Sequence, residues 1–259
     1  MNTTIDIAEA LKLAIRWARE TGKIHLSYFR GQNLDIRTKS NVYDVVTRAD
    51  KESEAFLIRE IGAAFPDHAV LGEESGEHAG TGDYRWVVDP LDGTNNYSQG
   101  LPVFTVSIGL QYRGETVLGV VYAPYFDELY TAMKGKGAFL NGKAIQVSRK
   151  SDLEHSVLGT GFPYDKDVNP DNNAANLAAI LPHLRGIRRM GSAAYDLCCT
   201  AAGWLDGYWE LGLSPWDMCA GALIVEEAGG CIRSFRQNRG ISIIAGNADI
   251  VKKISEIIK

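Results

Sequence analysis

Two carboxylates three positions apart, Asp89 and Asp92, close the run Trp86-Val87-Val88-Asp89-Pro90-Leu91-Asp92-Gly93-Thr94. An apolar strand leading straight into such a pair presents it on a fixed scaffold, and a tight turn through Pro90 and Leu91 would let both side chains converge on one point. Like charges held close together are unfavourable unless a cation lies between them, and a divalent metal is the obvious one. Gly93 lets the backbone approach an anionic ligand closely, the amides of Gly93 and Thr94 can point at phosphate oxygens, and the Thr94 hydroxyl can orient a water. Metal and phosphate would then share one turn. The order D-x-x-D-G is superficially similar to a calcium loop, but Pro90, the missing third Asp or Asn and the missing terminal Glu argue against that, which leaves a merely decorated turn as the plain alternative.

Further carboxylates stand at element ends. Gly72-Glu73-Glu74-Ser75 follows the apolar run Ala69-Val70-Leu71, so Glu73 sits at a strand end before a polar loop. Acidic pairs in loops are commonly just solvated. Ser214-Pro215-Trp216-Asp217 reads as a helix start, with Ser as the cap, Pro at the first helical position and Asp217 facing the first amides, where it could simply complement the helix dipole. Thr47 could cap a second helix whose first turn carries Asp50. None of the five His residues (25, 68, 78, 155, 183) clusters with another, which argues against a phosphohistidine intermediate, and oxygen-only ligands favour magnesium or manganese over zinc. The matching chemistry is attack of a metal-activated water in line with a leaving alkoxide.

The elements that must position these groups follow from periodicity. Ile7, Leu11, Ile15, Ala18 and Leu26 recur at helical spacing and predict a helix over Ile5 to Phe29, and a second runs from Thr47 until Pro66 stops it. Arg85 to Asp89, Phe104 to Gln111, Val117 to Tyr122 and Leu129 to Met133 are β-rich runs separated by turns, which predicts an antiparallel meander. Asn141-Gly142, between Ala138 to Leu140 and Ala144 to Val147, is a strong hairpin signal. After Ser151 strands and helices alternate: a strand at Val157 to Thr160, a helix around Asn173 to Leu184, a strand at Ile187 to Met190, a helix from Ala193 to Ala202 and a strand at Leu205 to Glu210. The helix begun at Pro215 stops at Gly229-Gly230. Two closely fused halves are expected, 1–148 of α+β type carrying most of the acidic ligands and 149–259 of α/β type carrying Asp217.

Composition bounds the function. With 259 residues, 45% hydrophobic and 23% charged, the chain is an ordinary globular protein with a real core. A net charge of -5, without a dense run of Lys or Arg, gives no footprint for nucleic acid, and an acidic protein that handles phosphate needs cations to supply positive charge locally. No stretch of eighteen apolar residues and no signal-peptide pattern occurs, and the four Cys (198, 199, 219, 231) form no C-x-x-C pair, so a cytoplasmic setting without membrane contact is expected. No G-x-x-x-x-G-K-[ST] loop appears, which argues against a kinase.

Five ordered segments resemble the inositol monophosphatase family of metal-dependent, lithium-sensitive phosphatases over nearly the whole chain: Asp44-Val45-Val46-Thr47-Arg48-Ala49-Asp50, Gly72 to Ser75, Trp86 to Thr94, Gly191-Ser192-Ala193-Ala194, and Trp216-Asp217 followed by Glu227-Ala228-Gly229-Gly230. The resemblance implies a layered α-β-α-β-α sandwich of the sugar phosphatase type, an active site between the two halves, and a homodimer. It implies that Glu73, Asp89, the Leu91 carbonyl, Asp92 and Asp217 hold two or three Mg2+ ions, with Mn2+ an alternative. Thr94 and Glu73 would orient the attacking water, Asp50 would steady Thr94 or a metal-bound water, and Lys39 would lie near the outermost metal. Phosphate would sit on Gly93 and Thr94, and the polyol hydroxyls on Asp92, Gly191, Ser192, Ala193 and Glu210. The implied reaction is hydrolysis of a small polyol or sugar phosphate, inositol 1-phosphate foremost. Bisphosphate nucleotidase, fructose-1,6-bisphosphatase, histidinol phosphatase or an inactive binding protein are the alternatives. Asn95-Asn96-Tyr97 stands where the monophosphatases usually have a Thr-Asn-Phe type run, and Trp209 and Pro215, expected beside the substrate wall, depart from the animal enzymes and bear on specificity.

Overall fold

The protein is described by a computed structural model covering residues 5–259. Helix α1 (Ile7–Tyr28) starts where the Asp6 side chain accepts the Ala8 amide, and its inward face, Ala10, Ala14, Trp17, Ala18, Thr21 and His25, recurs every three or four residues. A two-residue ladder of β1 (Arg37–Thr38) and β2 (Val45–Val46) leads into α2 (Arg48–Ala64), which begins at the predicted cap Thr47 and ends before Pro66. Then follow β3 (Ala69–Gly72), β4 (Gly76–His78), β5 (Tyr84–Asp92), a short α3 (Thr94–Ser98), β6 (Thr105–Tyr112), β7 (Glu115–Ala123), β8 (Glu128–Met133), β9 (Ala138–Leu140) and β10 (Lys143–Ala144). Strands β3 to β10 form one sheet in the order β10-β9-β8-β7-β6-β5-β3-β4. From β5 to β10 it is the antiparallel meander that the sequence predicts, and Asn141 and Gly142 turn the last hairpin with positive φ of 48° and 76°. The sheet as a whole is mixed, however: β4 folds back on the outer side of β3, so the chain must cross over and β5 enters parallel to β3.

The second sheet is built from β11 (Val157–Thr160), β12 (Gly186–Arg188), β13 (Gly207–Leu213), β14 (Cys231–Arg236) and β15 (Ile241–Gly246), in the order β12-β11-β13-β15-β14. Its first three strands are parallel, and β15 runs antiparallel to both its neighbours. The crossovers are α4 (Ala174–Ile180), α5 (Ala193–Ala201) and α6 (Pro215–Glu227), and the described chain closes with α7 (Ala248–Ile257). Helix α4 stops short of the expected Leu184 because Pro182 lies in a tighter turn over Leu181–His183.

The layers follow from which faces are apolar. Helices α1 and α2 cover one face of the large sheet, burying Trp17, Leu57 and Ile61 against Trp86, Ile108 and Val120. Helices α5 and α6 fill the space between the sheets, where Leu197, Leu223 and Ile224 meet Val121 and Tyr130 of one and Tyr208 and Ile243 of the other. Sandwiched on both sides, α6 buries Cys219, Ala220, Gly221, Ala222, Leu223, Ile224 and Val225 in succession and has no polar face to show. Helices α4 and α7 cover the far side of the small sheet. The result is an α-β-α-β-α sandwich. Among the described residues no helix is long and apolar enough to cross a membrane. One expectation fails here: Trp209 is fully buried on the α7 side of the small sheet, packed with Leu158, Ile244 and Ile250, its indole N–H donating to Asn173 Oδ1 at 2.8 Å. Strand alternation puts it on the face opposite Tyr208 and Glu210.

Candidate active site

The two carboxylates of the Asp-Pro-Leu-Asp segment are brought to one side by a mechanism other than the expected tight turn. Strand β5 continues through Pro90 and Leu91, and its pairing with β6 slips between Asp89 and Asp92. Residues i and i+3 of a regular strand face opposite ways; the irregularity re-aims them. Asp89 is 1% exposed and accepts the Leu91 amide at 2.9 Å. Burial and then Glu73, Asp92 and Asp217 hold its pKa well above the carboxylate range. Asp92 accepts Ser192 Oγ at 2.6 Å and the Ala194 amide at 2.7 Å, both on Oδ2, which ties β5 to the N-terminus of α5. Burial raises its pKa to about 6 against the pull of those donors.

Asp217 occupies the third position of α6 and accepts the Ser214 amide at 2.7 Å, closing the capping arrangement that the Ser-Pro-Trp-Asp order suggests. Burial and the Asp92 charge raise its pKa. Glu73 follows β3 and takes Lys39 Nζ at 2.8 Å; the same ammonium reaches Glu74 at 2.5 Å. Burial disfavours the Lys39 charge, yet the two carboxylates hold its pKa above the usual lysine value, while burial lifts Glu74 to about 7 despite Lys39.

Thr94 opens α3 directly after Gly93, whose φ of 94° is a left-handed conformation and where a Cβ would lie 2.8 Å from the Val103 carbonyl oxygen. The Thr94 hydroxyl lies 2.8 Å from Asp50 Oδ1 and 3.0 Å from the Leu91 carbonyl oxygen. Asp50 is fully buried and its other oxygen accepts the amide of Thr47 at 2.8 Å and its hydroxyl at 2.5 Å, so the cap of α2 aims the carboxylate at Thr94. Burial raises the Asp50 pKa.

A cleft between β5, α5, β11 and β13 is lined by Asp92, Gly191, Ser192, Ala193, Glu210 and Asp217, joining the acidic cluster to the residues expected to meet a polyol. Tyr208 donates its hydroxyl to Glu210, whose pKa burial raises to about 7. Pro215 itself lines a surface hollow beside Arg85 and Met218, while its neighbours in the chain, Leu213 and Asp217, line the cleft.

Three titratable lining residues are absent from the sequence reading: Tyr164, Arg189 and Asp196. Tyr164 lines the cleft with nearly half of the residue facing solvent, and burial of its phenol together with the fields of Glu73, Asp92 and Asp217 pushes its pKa upward. Asp196 carried a readable signal, a lone carboxylate inside the apolar run Ala193-Ala194-Tyr195-Asp196-Leu197-Cys198-Cys199.

Among the described residues no three Asp, Glu, His or Cys side chains come together as a ready metal site, and each of the four carboxylates is engaged by a protein donor. The donor set is nonetheless hard and anionic. Burial and, after it, mutual repulsion raise the pKa of Asp89 and Asp217, and a hard divalent cation would suit this oxygen set better than a soft metal.

This fold, with carboxylates at the ends of two neighbouring strands and at a helix cap across the cleft, is that of the metal-dependent sugar and polyol phosphatases. The model of the inositol monophosphatase family matches residues 6–257, and the chain belongs to that family. It is 44% identical over 252 residues to a protein of Pasteurella multocida named Nus factor SuhB, covering 94% of this chain and 93% of that one. The inositol monophosphatase of Anabaena (Nostoc) sp. PCC 7120 superposes with a TM-score of 0.87 at 40% identity, covering 97% of this chain and 96% of that one. The extragenic suppressor protein SuhB of Bartonella henselae superposes with a TM-score of 0.88 at 38% identity, covering 96% and 97%.

Proposed function

We propose that the chain hydrolyses a small polyol or sugar phosphate monoester, inositol 1-phosphate being the first candidate, with divalent cations held by Glu73, Asp89, Asp92, Asp217 and the Leu91 carbonyl. The observation that carries this is the buried Asp89, on whose charge Glu73, Asp92 and Asp217 all act, together with a Thr94 hydroxyl fixed by Asp50. When bound, magnesium supplies a water of lowered pKa and neutralises phosphoryl oxygens. Thr94 has one proton, and donating it to Asp50 leaves its lone pairs to accept from the attacking water. Glu73 would take part in orienting that water, and Lys39 limits how far the Glu73 carboxylate can swing. The amides of Gly93 and Thr94 would receive the phosphate. Ser192 and the Ala194 amide fix Asp92 between the metal side and the alcohol side, and Gly191, Ala193 and Glu210 line the alcohol side. Residues 1–148 would thus supply most of the ligands, and 149–259 would supply Asp217 and the alcohol pocket, in a homodimer.

The test is phosphate release from inositol monophosphates, glycerol phosphate, fructose bisphosphate, histidinol phosphate and adenosine bisphosphate, with magnesium, with chelator, and with magnesium plus lithium. Magnesium-dependent release led by an inositol phosphate supports the reading; equal rates with chelator sink it. The relatives named Nus factor SuhB favour a second reading, in which this chain shares that role. Asp89→Asn separates the two, since turnover requires the carboxylate and a role as a factor resting on the fold alone does not.

A further inference from the structure

Asp196 lies on α5, one helical turn after Ser192, and is 1% exposed. Its Oδ1 is buried and accepts no hydrogen bond from the described residues. A carboxylate kept for structure is normally supplied with donors, as Asp206 shows in the same sheet region: equally enclosed, it takes Ser148 Oγ at 2.5 Å, Lys150 Nζ at 2.9 Å and the Val157 amide at 2.8 Å. Leaving a buried acceptor unpaired costs about 1–3 kcal/mol, so its retention calls for a partner from outside the chain.

The surroundings say where that partner would sit. Asp196 lines the same cleft as Glu210, Ser192 and Asp92. Strand β11 and the residue directly after it are trimmed to leave room for both acids: a Cβ on Gly159 would lie 3.0 Å from Asp196 Oδ1, and one on Gly161 would lie 2.0 Å from Glu210 Oε1. Two positions apart, these glycines clear one side of the strand. Burial raises the pKa of both acids, for Asp196 with the charges of Glu210 and Asp92 added, and Arg189, which also lines the cleft, opposes this. A hydroxyl can donate to a carboxylate and accept from a guanidinium at once, whereas an ammonium can only donate and an aryl group can do neither.

We propose that Asp196 is a substrate-binding residue that, together with Glu210, accepts hydrogen bonds from two hydroxyls of the alcohol half of the substrate, so that the cleft takes phosphate esters of polyols in preference to esters of aryl or simple alkyl alcohols. The assignment rests on the phosphatase reading of the cleft, and it adds to that reading what selects the leaving group.

The test compares the full chain with Asp196→Ala and the near-isosteric Asp196→Asn. With magnesium present, kcat/KM is measured for inositol 1-phosphate and for phenyl phosphate, which has no hydroxyl on its alcohol side. Removing the acceptor should lower the ratio of polyol ester to phenyl ester by about 10- to 100-fold, mainly through KM, with a smaller fall for Asn. Equal losses on both esters, or an unchanged ratio, overturn the proposal in favour of a purely structural Asp196. A second measurement needs no turnover: binding of myo-inositol alone, followed by saturation-transfer NMR. Saturable binding by the wild type that is lost in Asp196→Ala supports the assignment, and equal binding by both, or none by the wild type, contradicts it. Wild-type protein that releases no phosphate from any ester would overturn the phosphatase reading, while the inositol binding experiment would still decide Asp196.

Discussion

Replacing Asp89 by Asn should move stability and activity in opposite directions. Asp89 is buried, its pKa is raised by burial and by Glu73, Asp92 and Asp217, and its one donor among the described residues is the Leu91 amide, which an Asn oxygen can keep. Unit charges about 5 Å apart at an effective permittivity of about 20 repel by about 3 kcal/mol. Partial protonation already relieves much of that, so removing one charge should stabilise the metal-free protein by about 1–3 kcal/mol. For a chain of this size that is a rise in Tm of about 3–10 °C. Magnesium at a hundred times its Kd would stabilise the wild type by about 2.7 kcal/mol, and the variant, with one ligand fewer, by far less. Thermal melts at pH 8 with chelator and with magnesium, run beside a phosphate-release assay, read all three quantities. An Asp89→Asn protein that melts below wild type in chelator, or that keeps the full magnesium shift, refutes the reasoning.

Other consequences are equally specific. Thr94→Val should reduce kcat by about 100-fold or more while Tm moves by only a few degrees, because the lost donor serves Asp50 and a carbonyl rather than the core; unchanged kcat removes Thr94 from the chemistry. Asp50→Ala strands the Thr47 amide, the Thr47 hydroxyl and the Thr94 hydroxyl, and should cost about 2 kcal/mol net of the relief from a buried charge, read by urea unfolding. Gly161→Ala should displace the Glu210 carboxylate and raise KM for polyol esters more than for phenyl phosphate; equal KM values would show that Glu210 has room to yield. Glu210 has a folded pKa of about 7 against an ordinary 4.5, so its contribution is fully present below pH 4.5 and is lost as pH rises through 7; the full gap corresponds to about 3 kcal/mol, and partial exposure to the cleft reduces it to about 1–3 kcal/mol. Glu210→Gln should flatten that part of the stability profile between pH 4.5 and 7, and a wild-type profile that parallels the variant's would contradict the assignment.

The acids of the site were legible where local chemistry reports them. Thr47 with Asp50 and Ser214 with Asp217 are capping signals complete within four residues, and in the structure Thr47 and Ser214 stand at the caps with their amides donating to Asp50 and Asp217. Asp89 and Asp92 were legible as a pair, but the β5 irregularity that turns them together was not, because the slip against β6 depends on a partner strand some fifteen residues away. The meander was readable from alternating β-rich runs. The parallel pairing of β3 with β5 was not, since it follows from where β4 folds back. Trp209 was misplaced although the information was present: in β13 it alternates with Tyr208 and Glu210, so a Glu210 facing the cleft puts Trp209 on the far side. Strands β14 and β15 carried little signal; β14 is an edge strand with exposed Arg233 and Ser234, and its shape depends on its neighbour.

The most direct measurement is hydrolysis of inositol 1-phosphate in oxygen-18 water with magnesium, following the label by mass spectrometry. Attack of water on phosphorus places one labelled oxygen in the released phosphate and none in the inositol, and chelator abolishes release. Label in the inositol, or no magnesium-dependent release from this ester or from any other polyol phosphate, would contradict the account.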